Sequence, residues 1–189
     1  MTRKRFRRED WLELGLNRLG EGGPEVLKIH DLCAAAGRTI GSFYHHFKDM
    51  DVFLNELGKY WRKTHTDNVI QTVNALDNPN DQASRLAAIA SQLNTLSDLG
   101  MRRLGEHRPD IQMLVTQVDQ ERIRYLADMY QRRFDVPYDD ARTLAELEYA
   151  AFVGTQVIWR QNARETGERL AQTFYELVQN HLSSAKDHP

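Results

Sequence analysis

A single cysteine, Cys33, is all the thiol chemistry that the 189 residues offer. One cysteine excludes an intramolecular disulfide framework and fits a reducing compartment. No apolar run approaches the roughly 20 residues that cross a membrane. No apolar stretch follows the basic N-terminus, so it does not read as a secretory signal. A cytoplasmic protein with no membrane partner is expected. Strand-like alternation is almost absent. The five prolines and eleven glycines cluster at a few points, with helical periodicity between them. Paired carboxylates, a Ser-His-Asp set and HExxH spacing are all missing, so the chain does not read as an enzyme. His45 and His46 are adjacent, and adjacent helical positions point about 100° apart. No cysteine or carboxylate completes a site around them, so neither metal nor cofactor is expected.

Charge is present but unevenly spread. The net charge of −2 argues against an indiscriminate nucleic-acid binder. Residues 1–65 carry 12 basic against 9 acidic groups, and residues 66–189 carry 13 against 18. Arg3, Lys4, Arg5, Arg7 and Arg8 all precede the first acid. A basic front on an acidic body suits a protein that meets phosphates at one end only; a solvated charged tail is the plain alternative.

The periodicity predicts an all-α chain. Helices are expected near residues 8–19, 28–35, 39–47, 49–75, 82–99, 109–134, 141–161 and 167–184, with a short piece at 102–107. The cluster Asp77-Asn78-Pro79-Asn80 and the run Val136-Pro137-Tyr138 read as loops. Residues 33–47 carry the most information. Two short helices that cross need small residues where they touch, a glycine able to take positive φ, and an apolar anchor on the second helix. Cys33, Gly37 and Phe43 fill those places, with Ala36 as further small packing. Cys33 then reads as a buried, inert thiol. This is the pattern of a helix-turn-helix, whose second helix enters the major groove of DNA. Arg38, Thr39, Ile40, Ser42, Tyr44, His45, His46 and Lys48 are its candidate DNA contacts. Arginine pairs with guanine, hydroxyls with bases or phosphates, and Ile40 offers an apolar face to a thymine methyl. Phe43 and Phe47, four residues apart, face the core.

The run from Gly22-Gly23-Pro24 to Phe53-Leu54 resembles the N-terminal domain of the TetR family of bacterial transcriptional regulators. Ala36-Gly37 and Gly41-Ser42-Phe43-Tyr44-His45-His46-Phe47-Lys48 carry the resemblance, which covers about a quarter of the chain. It implies a three-helix DNA-binding head (residues 1–50) joined through a long helix to a ligand-binding and dimerisation body (residues 51–189). It further implies a homodimer on a pseudo-palindromic operator, usually a repressor released when a small molecule binds the body and spreads the heads. Positions matching Tyr44 and His46 typically touch phosphates. Two residues depart from the pattern. Met50 stands where a phosphate-binding lysine is usual, so Lys48 and the basic tail compensate or affinity is modest. Arg38 stands where a small apolar residue is common, as a direct base reader or a solvent-facing arginine.

The last two helices carry broad apolar faces. Leu147, Ala151, Gly154, Thr155, Ile158, Phe174, Leu177, Val178 and His181 are candidates for a four-helix dimer interface, or else line an ordinary intrachain core. The body offers Trp61, Leu96, Met101, His107, Met113, Gln117, Tyr125, Tyr149, Phe152 and Gln156 as candidate lining for an effector pocket of unknown ligand. Residues of this kind at helical spacing are more often plain core. A dimeric DNA-binding or architectural factor with a filled core and no effector is the alternative.

Overall fold

The computed structural model describes residues 6–159 and 162–186, except the side chains of residue 181 and residues 183–186. Arg3, Lys4 and Arg5 of the basic run, and the side chain of His181, lie outside the described residues. The described chain is all-α, with no strand. In order it comprises α1 (Arg8–Gly22), a 3-10 turn (Pro24–Val26), α2 (Ile29–Ala36), α3 (Ile40–Tyr44) and α4 (Met50–Arg62). A π-helical turn (Lys63–Asp67), α5 (Asn68–Asn74), α6 (Pro79–Ala90) and α7 (Thr95–Gly105) follow. Three longer helices close the chain: α8 (Pro109–Phe134), α9 (Tyr138–Ile158) and α10 (Ala163–Lys186). None is long and apolar enough to cross a membrane, among the described residues.

The chain forms two compact units: Met1–Asp67 with Asn94–Gln117, and Asn68–Leu93 with Val118–Pro189. In the first, α1 buries Trp11, Leu12, Leu16 and Leu19, one helical face. That face lies against α7. The approach requires a glycine, because a Cβ on Gly100 would stand 2.7 Å from Leu19 Cγ and 2.8 Å from its carbonyl oxygen. Two polar groups fix α7 there. Ser97 Oγ donates to the Leu16 carbonyl at 3.4 Å. The wholly buried Trp61 of α4 donates its indole N–H to buried Asp98 at 2.5 Å. A buried carboxylate is tolerable only with such partners. In the second unit Ala127, Tyr130, Ala141, Ala145 and Val178 form the core, flanked by Leu144 and Phe174. Tyr130 donates to Glu148 at 2.9 Å, and burial pushes that carboxyl above the usual carboxylate range.

Several helix boundaries differ from expectation. The stretch expected as one helix over residues 49–75 passes through the π turn. Thr64 Oγ1 donates back to the carbonyls of Tyr60 (2.8 Å) and Trp61 (3.4 Å) there, the kind of bonding that loosens a regular α ladder. The expected helix over 82–99 is two helices separated at residues 91–94, and the short piece at 102–107 is the end of α7. Ser91 bonds back to Ala88 at 3.1 Å, and α7 turns to meet α1. The loop expected at 77–80 already contains the start of α6. Asn78 caps it by accepting from Asn80 N (2.8 Å) and Asp81 N (3.4 Å), with Pro79 in the first turn. The helix of α3 proper stops at Tyr44, short of Phe47, and the last two helices begin earlier than expected, at Tyr138 and Ala163.

Gly100→Ala is predicted to destabilise the first unit by about 1–3 kcal/mol through overpacking. Chemical denaturation with a head-specific probe such as Trp11 and Trp61 fluorescence measures it. An unchanged midpoint would remove the close α1–α7 approach from the account.

Candidate nucleic-acid interface

The turn between α2 and α3 is set by local chemistry. Gly37 closes α2 in the left-handed region (φ 60°, ψ 38°), and its N–H returns to Ala34 O at 3.1 Å. A side chain at Gly37 would meet nothing within 4 Å, so conformation alone calls for glycine there. Thr39 takes extended backbone and caps α3, its side chain accepting from Ser42 N at 3.3 Å. Cys33 is buried, its thiol 3.6 Å from the Thr39 carbonyl, and burial pushes the thiol's pKa up. That is the environment of an inert thiol.

Phe43 is fully buried. Its ring lies 5.5 Å from Trp11, edge to face, 5.3 Å from Phe47 and 5.4 Å from Phe53. Phe43 points inward, while Ile40 and Tyr44, one turn apart, are 48% and 51% exposed. Thr39, His45 and Lys48 are exposed as well, and Ser42 is half-buried. A Cβ on Gly41 would meet nothing nearer than Thr39 Oγ1 at 3.9 Å. The chain's own packing leaves that slim spot on the outer face open to a close-approaching partner. Two candidates are engaged within the protein. His46, in the tautomer protonated at Nε2, donates to the Phe6 carbonyl at 3.2 Å. The Arg38 guanidinium lies 5.4 Å from the centroid of the Phe6 ring. Phe6 has no place in the sequence reading, and Arg8 enters it only as one of the basic run. The only signal for Phe6 was an aromatic residue inside a basic run.

A short amphipathic helix held by a buried aromatic, with small and hydroxyl-bearing residues outward, is suited to a groove of duplex DNA. Residues 12–57 match the family model described as bacterial regulatory proteins, tetR family. The chain carries the DNA-binding domain of a TetR family regulator. The match covers most of α1, all of α2 and α3, and the first two turns of α4, leaving Phe6 and Arg8 outside it. No curated protein and no solved structure matches the chain. In this TetR-type domain Met50 opens α4, half-buried. Asp49 caps that helix by accepting from Val52 N at 2.8 Å, and the exposed cation beside it is Lys48.

The candidate effector residues fall into both units. Trp61 and Met101 are wholly buried core of the first unit, where Leu96 packs against Gly20. His107, Met113 and Gln117 are exposed in the same unit. Met113 and Gln117 line a shallow cleft of about 250 Å³ with Asn55, Lys59, Asp110, Ile111 and Leu114. In the second unit Tyr125 and Phe152 are half-buried, and Tyr149 and Gln156 are buried. Tyr149 donates to Asp119 at 2.7 Å and accepts from Arg122 at 3.3 Å. Among the interface candidates, Thr155 and Val178 are buried within the chain itself. Gly154 and Phe174 are half-buried, and Leu147, Ala151, Ile158 and Leu177 are exposed. No group of three or more His, Cys, Asp or Glu side chains among the described residues is arranged to hold a metal.

Gly37→Ala is predicted to cost about 1–2 kcal/mol from the left-handed backbone and to weaken DNA binding. Gly37→Asn should restore most of both, since asparagine tolerates that region. Paired melts and DNA titrations check this. Equal damage by alanine and asparagine would show that space, not backbone conformation, demands the glycine.

Proposed function

We propose that the protein is a homodimeric, cytoplasmic transcriptional repressor that binds a pseudo-palindromic operator and is released by a small-molecule effector. The observation that carries the dimer is the apolar outer surface of α9 and α10. Leu147, Ile158 and Leu177 are 56%, 66% and 63% exposed, and Val157 and Trp159, either side of Ile158 in sequence, are exposed too. A Cβ on Gly154 would meet nothing within 4 Å, leaving room for a close-approaching helix. An apolar surface of this kind is normally covered, and a second copy of the same face satisfies it with closed symmetry. Two recognition helices about 34–36 Å apart then read half-sites one helical turn apart.

Gln156 supports the effector. It is 3% exposed, yet neither its amide oxygen nor its amide nitrogen meets a hydrogen-bond partner among the described residues. An unmet buried amide costs free energy until something pairs with it. A ligand presenting one donor and one acceptor beside an apolar body would do so, with Phe152 and Tyr149 one and two turns away on α9. The chain passes between the two units at three places, two of them inside helical stretches, at α4–π–α5 and within α8. Those continuous helical stretches are the route by which a ligand in the second unit would act on the first.

Operator selection from random duplexes, repeated with candidate metabolites, tests this function. A dimer in light scattering without DNA is predicted. Leu177→Glu should give monomers with sharply weaker operator binding, and Gln156→Leu should bind operator while losing the effector response. A monomeric wild type would overturn the dimer. A Gln156→Leu chain released as readily as the wild type would remove Gln156 from the effector site.

A further inference from the structure

Arg8 is the first residue of α1, where the helix dipole favours an acid and disfavours a cation. The next two residues, Glu9 and Asp10, follow that preference. What Arg8 reaches offsets its own misplacement. Its Nη1 donates to the His46 carbonyl at 2.7 Å. Its Nη2 lies 3.6 Å from the Glu56 carboxylate of α4. Its guanidinium sits 4.7 Å over the ring of Phe47, which packs 5.3 Å from Phe43 and 5.0 Å from Phe53. One planar group thus joins α1, α4 and the turn that follows the recognition helix.

That turn has little else to fix it. The last backbone bonds of α3 run from His45 N to Gly41 O and from His46 N and Phe47 N to Phe43 O. The His46 carbonyl lies beyond them and accepts from Arg8, a favourable place for a cation at a helix's C-terminal end. The His46 ring bonds the Phe6 carbonyl at 3.2 Å. Glu56 is held in turn by Lys59, three residues along α4, at 3.3 Å.

We propose that Arg8 is a positioning residue for DNA binding. It sets where the recognition helix ends relative to α4, and it acts on DNA through the His46 turn. A lysine carries the same charge but offers one compact ammonium and no plane. It does not bond a carbonyl, face a carboxylate and stack on a ring together. Glu56 has an unexpected role on this assignment. The two side chains are 45% and 32% exposed, so their pairing contributes little to stability. It aims the guanidinium instead. A carboxylate that acted only as a charge would repel phosphates, and its removal would tighten binding. A carboxylate that aims Arg8 has the opposite effect. The inference rests on α3 being the recognition helix.

The test uses the full chain and its selected operator, at one fixed salt concentration. Arg8→Lys should weaken binding about tenfold, the size of one lost hydrogen bond to a charged group. Glu56→Ala should weaken it about threefold, within what one exposed pair supplies. In the Arg8→Lys background Glu56→Ala should no longer weaken binding. Residue-resolved hydrogen exchange without DNA should quicken at residues 45–48 in Arg8→Lys, with the amides of α4 protected as in the wild type. Wild-type affinity in Arg8→Lys overturns the proposal, since charge alone would then suffice. Tighter binding by Glu56→Ala overturns it too, as does a Glu56→Ala loss that persists undiminished beside Arg8→Lys, or unchanged exchange at residues 45–48. If the wild type selects no duplex, the reading of α3 fails and takes this inference with it. If it selects one and the variants bind as it does, only this inference fails.

Discussion

Everything at the DNA-facing end depends on how one side chain, Phe43, is buried. A helix of five residues has no stability of its own in water, because nucleation costs more than so few hydrogen bonds return. Phe43 is fully buried among Trp11, Phe47 and Phe53, drawn from α1, the turn after α3, and α4. Burying a phenylalanine contributes about 1.5–3 kcal/mol, and each well-placed aromatic pair adds about 0.5–1.5. That is enough to hold α3 in one orientation. With Phe43 seated there, Ile40 and Tyr44 remain exposed.

The other devices serve this constraint. Gly37 lets the chain turn sharply enough for Phe43 to reach the cluster, and Thr39 starts the helix at the right residue. Behind the cluster, the head is braced by a helix far away in sequence. Close packing at Gly100 and the Trp61–Asp98 hydrogen bond tie α7 to α1 and α4. A DNA-binding head built from residues on both sides of residues 68–93 is covalently continuous with the second unit at three places.

How much of this was legible in the sequence follows from how local each interaction is. The turn at residues 33–47 could be read because small residue, glycine and aromatic anchor fall within fifteen positions. The Asp49 cap and the Pro109 helix start were legible for the same reason. The break at residues 91–94 was not, because it depends on how α7 meets α1 through Ser97 and Gly100, some eighty residues from their partners. The sequence offers Arg38 as a base reader or a solvent-facing arginine and His46 as a phosphate contact, because the residue they hold, Phe6, lies 32 and 40 positions away. Trp61 and Met101 stood among the pocket candidates although residues of their kind are more often core, since periodicity reports a buried face without saying what covers it. Thr155 and Val178 share helices with Leu147, Ile158 and Leu177, yet the first two are used inside the chain and the others are not.

The central claim is that α3 owes its structure to the aromatic cluster. Residue-resolved amide hydrogen exchange on Phe43→Leu tests it most directly, with the amides of α9 as an internal control. The account predicts that protection of residues 42–47 falls toward that of an unfolded segment while α9 exchanges as in the wild type. Undiminished protection across residues 42–47 in a variant lacking the Phe43 ring would contradict it.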